Sequence, residues 1–270
     1  MTWPLRTLAR VITSLNDSQM STLLGHIPTR ELRRVRKRVL QAEGYNSARI
    51  TISDEVSALL DCVNSKNLPL SVIDAGAHTG DYTAEILAKS PNAMVYAFEP
   101  NPESFEILKD RFRGDERCSA IGKALGESSS IEPLFHDRLG SRLSSLVKRD
   151  LRHFGLDFSE SVMVEVVRLS SWCTINSVQP VALKLDIEGA ELPVLQDAVQ
   201  NIESLQVISF EFGGANLDSR TVFRDFHNLF SENNWTVARL SGSGLIDIPT
   251  YSEFDEVFVK SDFVARKDLG

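Results

Sequence analysis

The chain is poor in cysteine: Cys62, Cys118 and Cys173 are its only thiols in 270 residues. Widely spaced and odd in number, they build neither a disulfide framework nor a Cys-x-x-Cys metal site. They read as reduced core or surface residues. No apolar run approaches the ~20 residues of a membrane span. Residues 1–25 lack a secretory apolar core and an Ala-x-Ala cleavage site, so the expectation is a cytoplasmic protein. An overall positive charge is missing too. The net charge is −8, which argues against nucleic acid as a partner, as does the lack of an Asn/Asp-Pro-Pro-Tyr/Phe base-flipping motif. There are no internal repeats and no low-complexity tract. A hydrophobic content of 42% suffices for a core, and the length fits one domain with an extension.

The charge is unevenly spread. Residues 1–45 carry eight basic side chains against three acidic ones, +5, which leaves −13 on the rest. Six of the eight fall between Arg30 and Arg38, around Leu32, Val35 and Val39 at helical spacing. That pattern predicts an amphipathic helix over 30–42 with a very basic outer face. One reading of the face is a solvated surface beside the acidic remainder. The other is a grip on an anionic substrate or carrier, or on a second copy of the chain.

Also absent is the Gly-x-Gly-x-x-Gly loop that cradles a dinucleotide pyrophosphate. In its place stands Val72-Ile73-Asp74-Ala75-Gly76-Ala77-His78-Thr79-Gly80, an apolar strand running into a glycine-bearing turn and then a helix. Nineteen residues after Gly80, a second buried strand ends on Glu99, followed by Pro100 and Asn101. In a βαβ unit that carboxylate lies beside the turn at the carboxyl ends of adjacent parallel strands, placed to accept hydrogen bonds from a ribose diol. The glycines let the backbone come close to a ligand. An Asp-x-Gly-x-x-x-Gly turn suits S-adenosylmethionine, which has no phosphate to cradle. Asp74 has two readings, a contact to the ammonium group of that cofactor or a fastening of the turn's own amides. Tight strand-to-helix packing alone would also explain the turn, though not the spacing to Glu99.

These residues resemble the FkbM-type S-adenosylmethionine-dependent methyltransferases. The matching pieces are 72–80, 97–102, Ala124-Leu125-Gly126-Glu127, Ser144-Ser145-Leu146, 166–169 and, most specific, Leu183-Lys184-Leu185-Asp186-Ile187-Glu188-Gly189-Ala190-Glu191. The resemblance covers about residues 70–262. It implies a class I fold: an α/β, doubly wound, mostly parallel seven-stranded Rossmann-like methyltransferase sheet with an antiparallel edge strand. It also implies O-directed transfer. His78 departs from the Asn common in the family, so its backbone contact carries over and an Asn side-chain contact does not.

The alternation of elements agrees. Residues 1–69 read as a helical extension, with helices over about 4–24, 30–42 and 53–66, the last capped by Ser53. Residues 70–270 read as the methyltransferase domain, with strands at about 70–75, 93–98, 117–123, 181–185, 206–210, 235–240 and 256–260. Helices fall at about 80–90, 102–112, 190–201 and 219–233. The segment 127–180 is too long for an ordinary connection and reads as an insertion that helps form the acceptor pocket. It holds a polar loop over 127–132, a strand candidate over 162–169 and a helix over 171–177.

The expected cofactor contacts are Asp74, Gly76, Ala77, His78, Gly80, Glu99, Pro100, Asn101, Asp186 and, beside the adenine, Ala124 and Leu125. Methyl transfer from a sulfonium is a displacement, so the protein mainly aligns the nucleophile and removes its proton. Asp186 and Glu188 follow the strand beside the turn, and Glu211 ends the next strand. These three are the candidate catalytic carboxylates. Glu191 reads as a helix N-terminal carboxylate, and Lys184 as an ion-pair partner. His136, His153 and His227 lie on no motif. Two carboxylates with Asn216 would suit Mg²⁺, but no tight cluster indicates a metal. The acceptor is expected to be a small molecule or sugar hydroxyl. The rival readings are an NAD-binding oxidoreductase, for which no Tyr-x-x-x-Lys set is present, and a non-catalytic protein that keeps the Rossmann-like fold.

Overall fold

The computed structural model describes residues 14, 16–45, 50–63 and 70–268. Much of the helix expected over 4–24 and the end of that expected over 53–66 lie outside them. The chain divides into two compact units, 1–43 and 44–270. In the first, α1 (Asp17–Gly25) and α2 (Thr29–Ala42) are described, and α2 carries the basic face with no residue buried. Helix α3 (Ile52–Asp61) belongs to the second unit, so the sheet-bearing unit begins well before residue 70. The cap of α3 is Thr51 rather than Ser53. Thr51 Oγ1 accepts the Asp54 amide at 3.2 Å, and the Asp54 carboxylate accepts the Thr51 amide at 2.9 Å. A reciprocal box satisfies two otherwise orphaned donors, which a single serine does not.

An eight-stranded sheet organises the second unit, in the order β10-β9-β11-β8-β7-β1-β2-β3. The strands are β1 (Ser71–Ala75), β2 (Met94–Phe98), β3 (Cys118–Ile121), β7 (Ala182–Leu185), β8 (Val207–Phe212), β9 (Trp235–Ser241), β10 (Gly244–Asp247) and β11 (Ser261–Lys267). From β3 across to β8 all pairings are parallel, while β11 runs antiparallel to both β8 and β9, and β10 antiparallel to β9. The expectation of a mostly parallel doubly wound sheet holds, with β10 as an extra strand at the antiparallel edge.

Residues 256–260 are not a strand. They follow a short 3₁₀ turn, Glu253–Asp255, and the last strand starts at Ser261. Two apolar runs stand side by side in that sequence. The pairing selects the second, because Phe263, Val264 and Ala265 are 1% exposed or less between β8 and β9.

Alternation along the strands sends side chains to two layers. Ile73, Leu183, Ile208 and Phe263 pack with α7 (Glu191–Asn201) and α9 (Phe223–Glu232). Val72, Val95, Ala182 and Val264 pack with Val56 and Leu59 of α3 and Tyr82 and Ile86 of α4 (Asp81–Lys89). Val56 and Leu59 are fully buried, and each such side chain stabilises by about 1.5–3 kcal/mol. They fix α3 on this face of the sheet, against β8, β11 and α4.

The insertion is a second, three-stranded sheet in the order β4-β6-β5. It comprises β4 (Ala124–Leu125), β5 (Ser130–His136) and β6 (Glu160–Val167), and is followed by α6 (Leu169–Ile175). Part of the expected polar loop is therefore strand, since Ser130 to His136 pair along β6. The helix expected over 219–233 is α9, from Phe223, and a separate short helix, α8 (Ala215–Ser219), precedes it and ends at Arg220 in the left-handed region.

Candidate active site

The order of strands reverses at β1, whose neighbours are β2 on one side and β7 on the other. In open α/β sheets ligands bind at such a switch point, outside the carboxyl ends of the strands. A cleft lies there, with Gly76, Ala77 and His78 on its floor, Glu99 and Pro100 at one side, and Asp186 and Glu188 at the other. Ala124 and Leu125, expected beside an adenine, also line it. Asp74, Gly80, Asn101 and Glu211 do not.

Glu99 is fixed by the backbone on both sides of it. Its Oε2 accepts the His78 amide at 2.8 Å and its Oε1 the Asn101 amide at 2.7 Å. Each carboxylate oxygen keeps a second lone pair. Burial pushes the Glu99 pKa up to about 7 against those two amides. A ribose diol at this position would donate to a carboxylate already aimed and immobile.

The turn itself is drawn tight. Gly76 and Ala77 both donate to the Phe98 carbonyl at 3.0 Å, and Asp186 donates to the Ala75 carbonyl at 3.1 Å. His78 has φ 50° and Glu188 φ 59°, so the β1 and β7 turns each place a non-glycine residue in the left-handed region beside the cleft. Strain of that kind concentrates at functional sites. Histidine, like asparagine, tolerates the region better than most residues. The His78 ring also reaches the insertion, with Nε2 3.2 Å from the Gly140 carbonyl.

Asn101 is a strut and not a wall of the cleft. Its side chain accepts the Gly140 amide at 3.1 Å and donates to Ser144 Oγ at 3.0 Å. The insertion is thereby clamped beside the turn, which is the physical content of the Ser144-Ser145 match.

Asp74 is fully buried and, among the described residues, accepts no amide of the turn. Its Oδ2 accepts the Thr83 hydroxyl at 2.6 Å, and Oδ1 lies 3.4 Å from Lys184 Nζ without hydrogen-bond geometry. Lys184 donates to the Ala75 and Gly76 carbonyls at 3.3 and 3.1 Å and lies 3.8 Å from Asp186. Burial works against the ammonium, but Asp74, Asp186 and Glu55 outweigh it and hold its pKa above the usual lysine range. Lys184 is thus the buried fastener under the turn. Glu191 fastens the other turn, accepting from the Ile187 amide at 3.0 Å and the Gly189 amide at 2.9 Å.

The three candidate catalytic carboxylates differ. Glu188 is ion-paired with Arg149 from the insertion, itself 3.8 Å from Asp218. Burial and the nearby Asp186 raise the Glu188 pKa and Arg149 opposes them. Glu211 is paired with Lys260, and burial and Asp186 raise its pKa strongly. Lys260, not Glu211, lines the cleft. Asp186 lines the cleft with a third of its side chain exposed and, among the described residues, only the 3.8 Å contact to Lys184. Asn216 is used up in its own turn, accepting the Gly213 amide at 2.8 Å and donating to Thr221 Oγ1 at 2.9 Å. Among the described residues no group of three or more His, Cys, Asp or Glu could hold a metal.

Glu55, Arg149 and Lys260 belong to the site, and the sequence reading does not single them out. Glu55 sits in a first helical turn, where carboxylates are common for the dipole alone. Arg149 and Lys260 carry no motif. Among the expected bystanders, His227 bonds the Ile248 carbonyl through Nε2 at 3.1 Å, and His136, at the end of β5 in the insertion, is 3% exposed.

A parallel sheet with a glycine turn after its first strand and a carboxylate pinned at the end of the second defines a Rossmann-like, nucleoside-binding class of protein. Residues 74–234, more than half the chain, match the methyltransferase FkbM domain, and the chain belongs to that family. It is 22% identical over 157 residues to the 2-O-methyltransferase NoeI of Sinorhizobium fredii (strain NBRC 101917 / NGR234), covering 54% of this chain and 64% of the relative. It is 29% identical over 167 residues to the methyltransferase sdnD of Sordaria araneosa, covering 50% and 63%. The matched segments thus span less than two thirds of either relative. Among solved structures, precorrin-6y C5,15-methyltransferase of Geobacter metallireducens GS-15 aligns with 83% of this chain and 92% of its own, at 12% identity and a TM-score of 0.43. No helix among the described residues is long and apolar enough to cross a membrane.

Proposed function

We propose that the protein is an S-adenosylmethionine-dependent methyltransferase that O-methylates a hydroxyl of a small-molecule or sugar acceptor. The observation that carries this reading is Glu99, immobilised by the amides of His78 and Asn101 at the lip of a glycine turn. The residues present fit the cofactor. Glu99 would hold the ribose hydroxyls, the backbone at Gly76 and Ala77 would lie against the tail, and Ala124 and Leu125 would flank the adenine through backbone contacts, since neither has a polar side chain. The bound cofactor supplies an electrophilic methyl group and its own leaving group. Membership of the FkbM family supports the reaction class, and one relative being a 2-O-methyltransferase supports the oxygen as nucleophile.

The chain's own part is then to orient the acceptor hydroxyl and receive its proton. Asp186 is the carboxylate best placed for that, because it faces the cleft while Glu188 and Glu211 are paired with cations. The rivals are an NAD-binding protein and a non-catalytic relative. Calorimetric titration with S-adenosylhomocysteine separates the first from the proposal, and turnover of an acceptor separates the second. Glu99→Ala is expected to weaken binding by about 1.5–3 kcal/mol, the range for hydrogen bonds to a charged group. Unchanged affinity in the variant, or preferential binding of NAD by the unmodified protein, would contradict the reading.

A further inference from the structure

The β1 turn carries one carboxylate, Asp74, and that carboxylate is withdrawn from the cleft. It is fully buried below the turn, between the Thr83 hydroxyl and Lys184. Most other carboxylates near the cleft are engaged as well: Glu99 by two amides, Glu188 by Arg149, Glu211 by Lys260, and Asp81 by Arg111 and Arg142, while Asp186, 3.8 Å from Lys184, is the carboxylate proposed above to receive the acceptor's proton. Glu55 is different. It lines the cleft from the first turn of α3. Among the described residues its side chain has no hydrogen bond and no ion pair.

Its position is dictated by the sequence around it. The Thr51–Asp54 box fixes where the helix starts, and Val56 and Leu59 turn one face into the sheet. Glu55, between those anchors, is left half-buried at the cleft wall.

Charged groups face it from each neighbouring element. They are Lys184 and Asp186 at the end of β7 and Lys260 and Asp262 at the start of β11, with the neutral Tyr82 hydroxyl of α4 and Asp74 of β1 further below. Both lysines are committed, Lys184 to two turn carbonyls and Lys260 to Glu211. Asp262 and Asp186 make the field around Glu55 more negative. A half-buried carboxylate in such a field, with no cation of its own, is satisfied by a ligand that brings one.

We propose that Glu55 is the binding group for the α-ammonium of the cofactor's methionine tail, in the place that Asp74 has ceded to Lys184. The ligand class is an amino-acid zwitterion joined to a nucleoside, and the inference rests on the S-adenosylmethionine reading above. It assigns a cofactor contact outside the family-matched segment 74–234. Glu55 also acquires a linked proton: burial and then Asp262 push it up to about 7. At neutral pH a fraction of the ligand-free protein holds that proton, and an ammonium expels it.

The test is calorimetric titration of the full chain and of Glu55→Gln at pH 7, in two buffers of different ionisation enthalpy. The ligands are S-adenosylhomocysteine, which keeps the ammonium, and its deaminated analogue. The expected result is that Glu55→Gln binds S-adenosylhomocysteine about 10- to 100-fold more weakly and loses a fraction of a proton from the release seen in the unmodified protein. The analogue should bind both proteins equally, which also shows that the variant is folded. Undiminished S-adenosylhomocysteine affinity in Glu55→Gln overturns the inference while leaving the cofactor reading intact. So does an equal loss for both ligands. A variant that binds both ligands normally but turns over slowly overturns it too and places Glu55 at the acceptor. If the unmodified protein binds neither ligand, the cofactor reading falls and this inference falls with it.

Discussion

Gly76→Ala is expected to destabilise the fold by on the order of 4 kcal/mol and to abolish cofactor binding, in the diagnostic tail of single-residue effects. Two independent reasons converge on the position. Gly76 has φ 78°, a conformation that disfavours an L side chain by roughly 1–2 kcal/mol. A Cβ there would also stand 1.8 Å from the Asp186 carbonyl oxygen and 2.9 Å from its carbon. The obstruction is backbone, so no rotamer change relieves it. The β1 and β7 turns would have to part, which breaks the Asp186 amide's bond to Ala75 and the contact of Lys184 with the Gly76 carbonyl. Gly214→Ala is the control. Gly214 has φ −61°, and a methyl group added there would meet no atom within 4 Å, so its substitution should leave the denaturant midpoint nearly unchanged. A Gly76→Ala protein with an ordinary midpoint and ordinary S-adenosylhomocysteine affinity would show that the two turns are not locked together as described.

Asp186→Asn is expected to lower kcat by roughly 10²–10⁴ with little change in cofactor affinity, the effect of removing a general base. The change is isosteric, and the side chain has only the 3.8 Å contact to Lys184 to lose. Glu188→Gln should act differently. It removes the countercharge of Arg149, whose side chain is 8% exposed and would retain only Asp218 at 3.8 Å. Leaving a buried guanidinium short of a partner is destabilising, so this variant should lose thermal stability before it loses chemistry. Steady-state kinetics with any acceptor that supports turnover, together with melting curves, distinguishes the two. If Asp186→Asn turns over at the unmodified rate, the proton goes elsewhere. Glu211 is then next in line, and its exchange with Lys260 becomes the group to vary.

The part of the site that is legible in the sequence is local. Gly76, Glu99 and the run from Lys184 to Glu191 each lie within one strand and its following turn, and chain spacing places them. What the sequence hides is set by long-range register. Asp74 stands directly opposite Lys184 in the β1–β7 pairing, and that neighbour turns its carboxylate from the cleft. Glu211 stands opposite Asp262 across the antiparallel β8–β11 pair, so the charge around it depends on where β11 begins. The sequence misplaces that start because two apolar runs adjoin. Glu55 looks like any first-turn carboxylate until α3 is seen packed on the sheet with that turn at the cleft.

The main sheet is legible because buried parallel strands give continuous apolar runs between helices. The small sheet of the insertion is only half legible. Ser130-Ile131-Glu132 has the polarity of a loop, and only its pairing with Val164, Glu165 and Val166 makes it a strand.

The most direct test of the central claim is a crystal structure of the protein grown with S-adenosylhomocysteine. Both ribose hydroxyls are predicted within hydrogen-bonding distance of Glu99, the adenine against Ala124 and Leu125, and the sulfur beside Asp186 at the end of β7. A nucleoside bound elsewhere, or a ribose in the cleft that leaves Glu99 without contact, would contradict it.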